Sequence, residues 1–209
     1  YNMRMPTKNT VKELVSDTYY HIYNRGWNRN KVFRDAADYT FFEQLLMRAF
    51  APEFTEDSRG RAYKNFYDNL HLNAYCLMGN HFHLLVYQKA DEKTLSVAMK
   101  SILTSYSMYF NKKYKQRGSV FESTYKAVRT VNDSQLIHIT RYIHLNHRKY
   151  AVWLRSSYQD YINGRCRSWI DASPILELFP TSDKYVEFVS DYEAMQRERD
   201  DLKHEMANS

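Results

Sequence analysis

The sequence predicts an α+β fold of the ferredoxin-like, split βαβ kind: an antiparallel sheet with helices on one face, plus a C-terminal helical extension. Three observations carry this. Short β-rich runs and helical periodicities follow one another in the order β-α-β-β-α-β. Two of the runs are separated only by Gly79-Asn80, a turn signal. The second of them, beginning His81-Phe82-His83-Leu84, places Phe82, Leu84 and Val86 on one side, the pattern of a strand with one face in the core.

The elements follow in order. Residues 18–24 (TYYHIYN) are β-formers ending before Arg25-Gly26, so a strand is expected there. Asp35 is a candidate cap for a helix to about Ala51, with Phe41, Phe42, Leu45, Leu46 and Ala49 on one face and Pro52 as its stop. Residues 53–69 are polar and aperiodic and read as a loop or inserted excursion. The second and third strands are expected at 71–78 and 81–88. A long helix is expected over about 93–115, on the spacing of Leu95, Ala98, Met99, Ile102, Leu103, Tyr106 and Phe110. Gly118 interrupts the chain, and 119–130 is the candidate fourth strand. Asp133 or Ser134 is the expected cap of a helix through about Asn146. The rest reads as a loop with Gly164, a short helix near 174–179 and a charged helix from Asp183. The expected division is 1–150 as the main domain and 151–209 as the extension. With helices on one face, the other face of the sheet is expected to be free, a common platform for nucleic acid.

Composition narrows the function. The net charge of +6 is unevenly distributed. Residues 100–150 hold 10 basic and 2 acidic side chains, a block of +8, while 1–99 carry +2 and 151–209 carry −4. Such a block suggests a polyanionic partner, or a solvated helical face. Tyrosine is enriched at 19 residues. No apolar run approaches membrane-span length and no signal-peptide pattern opens the sequence, so no membrane partner is expected. The two cysteines, Cys76 and Cys166, make no disulfide framework, which fits a cytoplasmic setting.

Two elements carry chemistry. On a strand, His81 and His83 share a face about 7 Å apart, a spacing at which two imidazoles can converge on one metal ion. The competing reading is a pair of partly exposed strand histidines with ordinary partners. On the last helix of the main domain, Tyr142 and Asn146 stand one turn apart, placing a hydroxyl near a carboxamide oxygen. That suits a nucleophile beside a metal ligand, or an ordinary amphipathic helix with a core tyrosine.

Taken together, these segments resemble a known family. Residues 77–86 (LMGNHFHLLV) resemble the HUH signature of the single-tyrosine HUH transposases, in particular the REP-associated tyrosine transposases. Asn24-Arg25-Gly26, Arg117-Gly118 with Phe121 and Tyr125-Lys126-Ala127, Arg141-Tyr142-Ile143-His144-Leu145-Asn146 and Ser156-Ser157-Tyr158 match in the same order. The likeness spans about 18–189. Gly79 stands where proline is usual, His147-Arg148 replaces Asn-Pro, and Ser123-Thr124 replaces a more basic pair.

The resemblance implies a metal-dependent enzyme that cleaves and rejoins single-stranded DNA, hairpin-containing, as a monomer or a homodimer. It implies His81, His83 and Asn146 as ligands of a divalent ion, Mg²⁺ or Mn²⁺, and Tyr142 as the nucleophile of a 5′-phosphotyrosine intermediate. Covalent storage of the phosphodiester removes any need for ATP, and the sequence has no Walker-type loop. Tyr125 is the rival nucleophile. Candidate DNA contacts are Arg25, Lys112, Lys113, Lys115, Arg117, Phe121, Lys126 and Arg141, with Tyr23, Tyr87, Phe121 and Tyr125 as stacking groups. The alternatives are a non-catalytic single-stranded nucleic-acid-binding protein on the same fold, a paired-histidine zinc hydrolase, and a replication or conjugation nuclease of the same chemistry.

Overall fold

A computed structural model describes residues 14–56, 59–60, 62–162 and 167–192. Four strands, β1 (Thr18–Arg25), β2 (Leu70–Met78), β3 (His81–Gln88) and β4 (Lys126–Arg129), form one sheet in the order β2-β3-β1-β4, with every neighbouring pair antiparallel. Helix α1 (Ala36–Phe50) joins β1 to β2, and α2 (Thr94–Tyr114) joins β3 to β4. Then come α3 (Asp133–His144), α4 (Tyr158–Ile162), α5 (Ser173–Leu176) and a last helix, α6, over 182–192 of the described residues. The predicted fold class is the observed one. No described helix is long and apolar enough to cross a membrane.

Strand parity builds the first core. Tyr20 and Ile22 of β1 and Phe82, Leu84 and Val86 of β3 point at α1 and α2, where they meet Phe42, Leu46, Ala98, Met99 and Tyr106. On β2 the inward residues change parity, from Leu70 and Leu72 to Tyr75 and Leu77. A bulge between Leu72 and Ala74 makes that change possible. Asn73, the extra residue, is fully buried and satisfied: its amide donates to Asp171 O at 2.9 Å and accepts from Tyr87 N–H at 3.1 Å. Helix α1 starts in a capping box between Asp35 and Asp38.

The opposite sheet face is not free, contrary to the expectation from a plan with helices on one face. A second core covers it along β2 and β3, where Ala74, Cys76 and Leu85 pack with Leu136 and Ile143 of α3 and with Tyr158, Tyr161, Ile175, Tyr185 and Val189. The extension is therefore bound into the sheet. Backbone contacts support it: Leu77 N–H donates to Arg155 O at 2.9 Å, and the Trp153 indole donates to Leu77 O at 3.1 Å. Among the described residues, the end of this face toward β1 and β4 is left open.

Three boundaries differ from expectation. The fourth strand is short, because Phe121 turns into the first core, 5.8 Å from Phe82 and 6.1 Å from Tyr106, and breaks the ladder over 119–125. Asn132, rather than Asp133 or Ser134, caps α3, its side chain accepting from Gln135 N–H at 2.9 Å. Helix α3 ends at His144, so Asn146 lies just past the helix. Within the expected 53–69 loop the described residues are irregular, with one isolated bridge between Glu56 and Ala62. Gly164 and the part of the expected charged helix beyond residue 192 fall outside the described residues.

Candidate active site

The register of β1 on β3 sets the site. Tyr23 pairs with His83 and Arg25 with His81, and paired residues share a face. That face is the one away from α1 and α2. His81, His83, His21, Tyr23 and Arg25 therefore gather on its open end, joined by Lys126 of β4, which pairs with Tyr23. Helix α3 delivers Tyr142 to the same place. Its ring is edge-on to His83 at 5.3 Å and to His21 at 5.9 Å between centroids. A cavity of about 430 Å³ opens here, lined by Tyr23, Arg25, Arg29, Asn80, His81, His83, Glu122, Lys126 and Tyr142 among others.

Helix α3 is aimed by the residue two positions after the tyrosine. At 3.6 residues per turn, positions 142 and 144 point to nearly opposite sides. His144 is fully buried, with Nδ1 2.6 Å from the Tyr185 hydroxyl and Nε2 2.8 Å from Ser157 Oγ. Ser157 in turn accepts from Tyr75 N–H on β2 at 2.9 Å. So a polar clamp ties α3 to β2 and to the extension, leaving Tyr142 half-exposed at 51%.

The histidines are kept neutral. Burial lowers the His21 pKa to about 4. Burial also holds His83 well below the ordinary histidine value, with His21 and His81 adding to the effect. His81 is lowered by burial and by Arg25, against a hydrogen bond to Asn146. Neutral imidazoles keep a lone pair for a metal. His81 Nε2 stands 2.9 Å from Asn146 Oδ1, while its Nδ1 is 2.7 Å from Asn80 Oδ1. His83 Nδ1 is 2.9 Å from His21 Nε2.

The donor set fits a divalent ion of the Mg²⁺ or Mn²⁺ kind. Adjacent ligands about 2.1 Å from an octahedral ion are about 3 Å apart, the separation of His81 Nε2 and Asn146 Oδ1. Two imidazoles and an amide oxygen suit Mn²⁺ better than Mg²⁺ on ligand type. Among the described residues no three of His, Cys, Asp and Glu converge on a metal site, so the amide oxygen is needed to complete the set.

The remaining sequence candidates separate. Arg25 and Lys126 line the cavity; Arg25 is paired with Glu122 at 2.7 Å, and the Lys126 ammonium lies 5.7 Å over the Tyr23 ring. Lys113 is 2.7 Å from both Asp35 and Asp38, which makes it a structural cation. Lys112 and Lys115 are exposed at the end of α2, and Arg117 lines a different groove. Arg141 lies over the Phe188 and Tyr192 rings at 4.0 and 4.3 Å, under α6 and away from the cavity. Phe121 and Tyr125 are core residues at 5% and 4% exposure, so neither ring is open to a base. Tyr87 is packed 4.9 Å from Tyr19 and donates to Asp17. The structure thus sets Tyr142, not the rival Tyr125, against the histidines.

His21 was not singled out from sequence. A lone histidine in TYYHIYN carries no motif, and its partner His83 is 62 residues away. Strand parity, which puts it with Tyr23, was the available signal.

Comparisons with known proteins bear on this arrangement of paired histidines facing a tyrosine. Residues 61–146 match the family described as "Transposase IS200 like", a span that contains His81, His83, Tyr142 and Asn146. The resemblance read from the sequence is thereby found over that segment, and it supports a transposase-like function. A solved structure, described as "Structure of the REP associates tyrosine transposase bound to a REP hairpin", shares the fold with a TM-score of 0.52 at 11% identity, over 79% of this chain and 93% of that one. No curated protein matches the sequence.

Proposed function

We propose that this protein cuts and rejoins single-stranded DNA next to a hairpin, with Tyr142 as nucleophile. One observation carries the reading: an exposed tyrosine is held against a cluster of neutral histidines in a cavity rimmed by Arg25, Arg29 and Lys126. A purely binding protein has no need of that combination. The similar structure holding a REP hairpin supports DNA of that form as the substrate.

In this reading the Tyr142 oxygen attacks a backbone phosphorus and becomes joined to the 5′ phosphate, and the upstream strand leaves with a free 3′-OH. Half-exposure gives the hydroxyl proton a route to water. Arg29 and Lys126 attract the phosphates on either side of the scissile one. His81, His83 and Asn146 would hold the divalent ion, which would supply Lewis-acid polarisation of a bound phosphate. His21 orients His83 through the hydrogen bond between His21 Nε2 and His83 Nδ1; with His83 as the donor, its other ring nitrogen is left unprotonated. The His144 clamp holds α3, and so Tyr142, in line.

The test is a denaturing gel with end-labelled hairpin DNA and Mn²⁺. A 3′ label should travel with the protein and a 5′ label should be released on the shorter strand. Tyr142→Phe should lose the adduct and keep DNA affinity. An adduct that persists in Tyr142→Phe rejects the assignment. Binding with no adduct in the wild type favours the non-catalytic alternative.

A further inference from the structure

A second concavity, of about 270 Å³, lies between residues 27–34 and the 116–120 segment. Its lining includes Trp27, Lys31, Arg34, Phe110 and Arg117, and no acidic residue. Trp27 is 57% exposed, an unusual state for the side chain with most to gain from burial. Arg34 is held flat, 4.9 Å over the Phe110 ring and 4.4 Å over Tyr114. Asp35 and Asp38, the nearest acids along the chain, are occupied by Lys113. The groove thus pairs an open aromatic face with cations that have no acidic partner among the described residues.

The backbone shows how Trp27 comes to be displayed. Asn28 and Arg29 both adopt left-handed conformations, at φ 50° and 60°, which cost energy in residues other than glycine. Gly26 is required before them, because a Cβ there would lie 2.1 Å from Asn30 O. The turn is pinned by Gly26 N–H to Asn80 O at 2.8 Å and by Trp27 N–H to Val120 O at 3.0 Å. As a result Trp27 lines this groove while Arg29, two residues on, lines the catalytic cavity. Two residues span at most about 7 Å, so the groove and the cavity are close enough to hold neighbouring parts of one strand.

We propose that this groove is a second DNA subsite, taking an unpaired stretch of the same strand that is held at Tyr142. Trp27 is the stacking surface for a base, and Lys31, Arg34 and Arg117 contact phosphates. An unpaired stretch is specified because only an unpaired base offers its face to an indole. The proposal rests on the DNA reading above and extends it to the single-stranded flank.

The experiment titrates the protein with a DNA hairpin carrying a single-stranded dT tail, and with the same hairpin without the tail. The tailed DNA should quench tryptophan fluorescence, and Trp27→Phe should remove that quench. Trp27→Ala should weaken tailed DNA about tenfold and leave the tailless hairpin unchanged. In Lys31→Ala/Arg117→Ala the log–log salt slope for tailed DNA should shrink by about 0.7 per cation removed. A quench that survives in Trp27→Phe, or equal losses for both DNAs, overturns the subsite. The two readings fail separately: covalent adduct with Trp27-independent binding rejects only the subsite, and Trp27-dependent quenching without any adduct rejects only strand transfer.

Discussion

His81 Nε2 lies 2.9 Å from Asn146 Oδ1, across 65 residues of sequence and between the start of β3 and the end of α3. His81 Nδ1 faces a second oxygen, Asn80 Oδ1, at 2.7 Å. A neutral imidazole has one proton and can donate to only one of them. Burial disfavours the doubly protonated ring. A cation between Nε2 and Oδ1 removes the conflict, which is a physical reason to place the ion there.

Asn146→Asp should therefore tighten Mn²⁺ binding in the absence of DNA. The proposed set has no carboxylate, and a unit charge about 4 Å away contributes up to ~4 kcal/mol at an effective dielectric of 20. An increase of about tenfold or more is expected by calorimetric titration. Asn146→Leu should abolish the binding, and equal Mn²⁺ affinity in all three proteins would reject this ligand set.

Lys113 belongs to the fold rather than to the DNA surface. Its ammonium bridges Asp35 and the buried carboxylate of Asp38, which also accepts from the Tyr114 hydroxyl at 2.7 Å. Lys113→Met should cost about 1–2 kcal/mol in urea unfolding, less than a fully enclosed pair because water still reaches the ammonium. DNA affinity and its salt dependence should stay as in wild type. Reduced salt dependence with unchanged stability would return Lys113 to the DNA contacts.

The clamp at His144 makes stability depend on pH. Its pKa falls to about 3 in the fold, because burial disfavours the charged ring. In the unfolded chain it returns to about 6.5. Between these values the unfolded state binds the extra proton, so the contribution is complete above pH 6.5 and declines as pH falls. At pH 5 the loss is about 2 kcal/mol. His144→Gln should be less stable at pH 7 but lose less on acidification, by about 1.4 kcal/mol per pH unit. His21 and His83 are lowered by burial too, so some dependence should remain. A variant as pH-sensitive as wild type would show that His144 charges freely in the fold.

Local pattern made most of this molecule legible. The alternation in residues 81–88 and the helical spacing expected over about 93–115 place β3 and α2 within a residue of their observed ends. His81, His83 and Tyr142 were legible because each sits in a short motif with a spacing that means something chemically. What was not legible depends on register between distant segments. His21 acquires its place only when β1 lies beside β3, and Lys113 loses its apparent freedom only when α2 meets Asp35 and Asp38, 78 and 75 residues away. Phe121 and Tyr125 look like exposed aromatics in a basic stretch until the chain between Gly118 and β4 folds inward. The parity change on β2 hides in a near-continuous apolar run, where alternation has no signal to give.

The clamp on α3 also limits how this protein can be rebuilt. Its anchors, Ser157 and Tyr185, lie after residue 146, on the stretch that roofs the second core. A graft of residues 61–146 onto another scaffold would carry His81, His83, Tyr142 and Asn146 and leave the tyrosine without its aim. A unit that keeps the clamp must run on past Tyr185 into α6, so single groove residues are better altered in place than by exchanging modules.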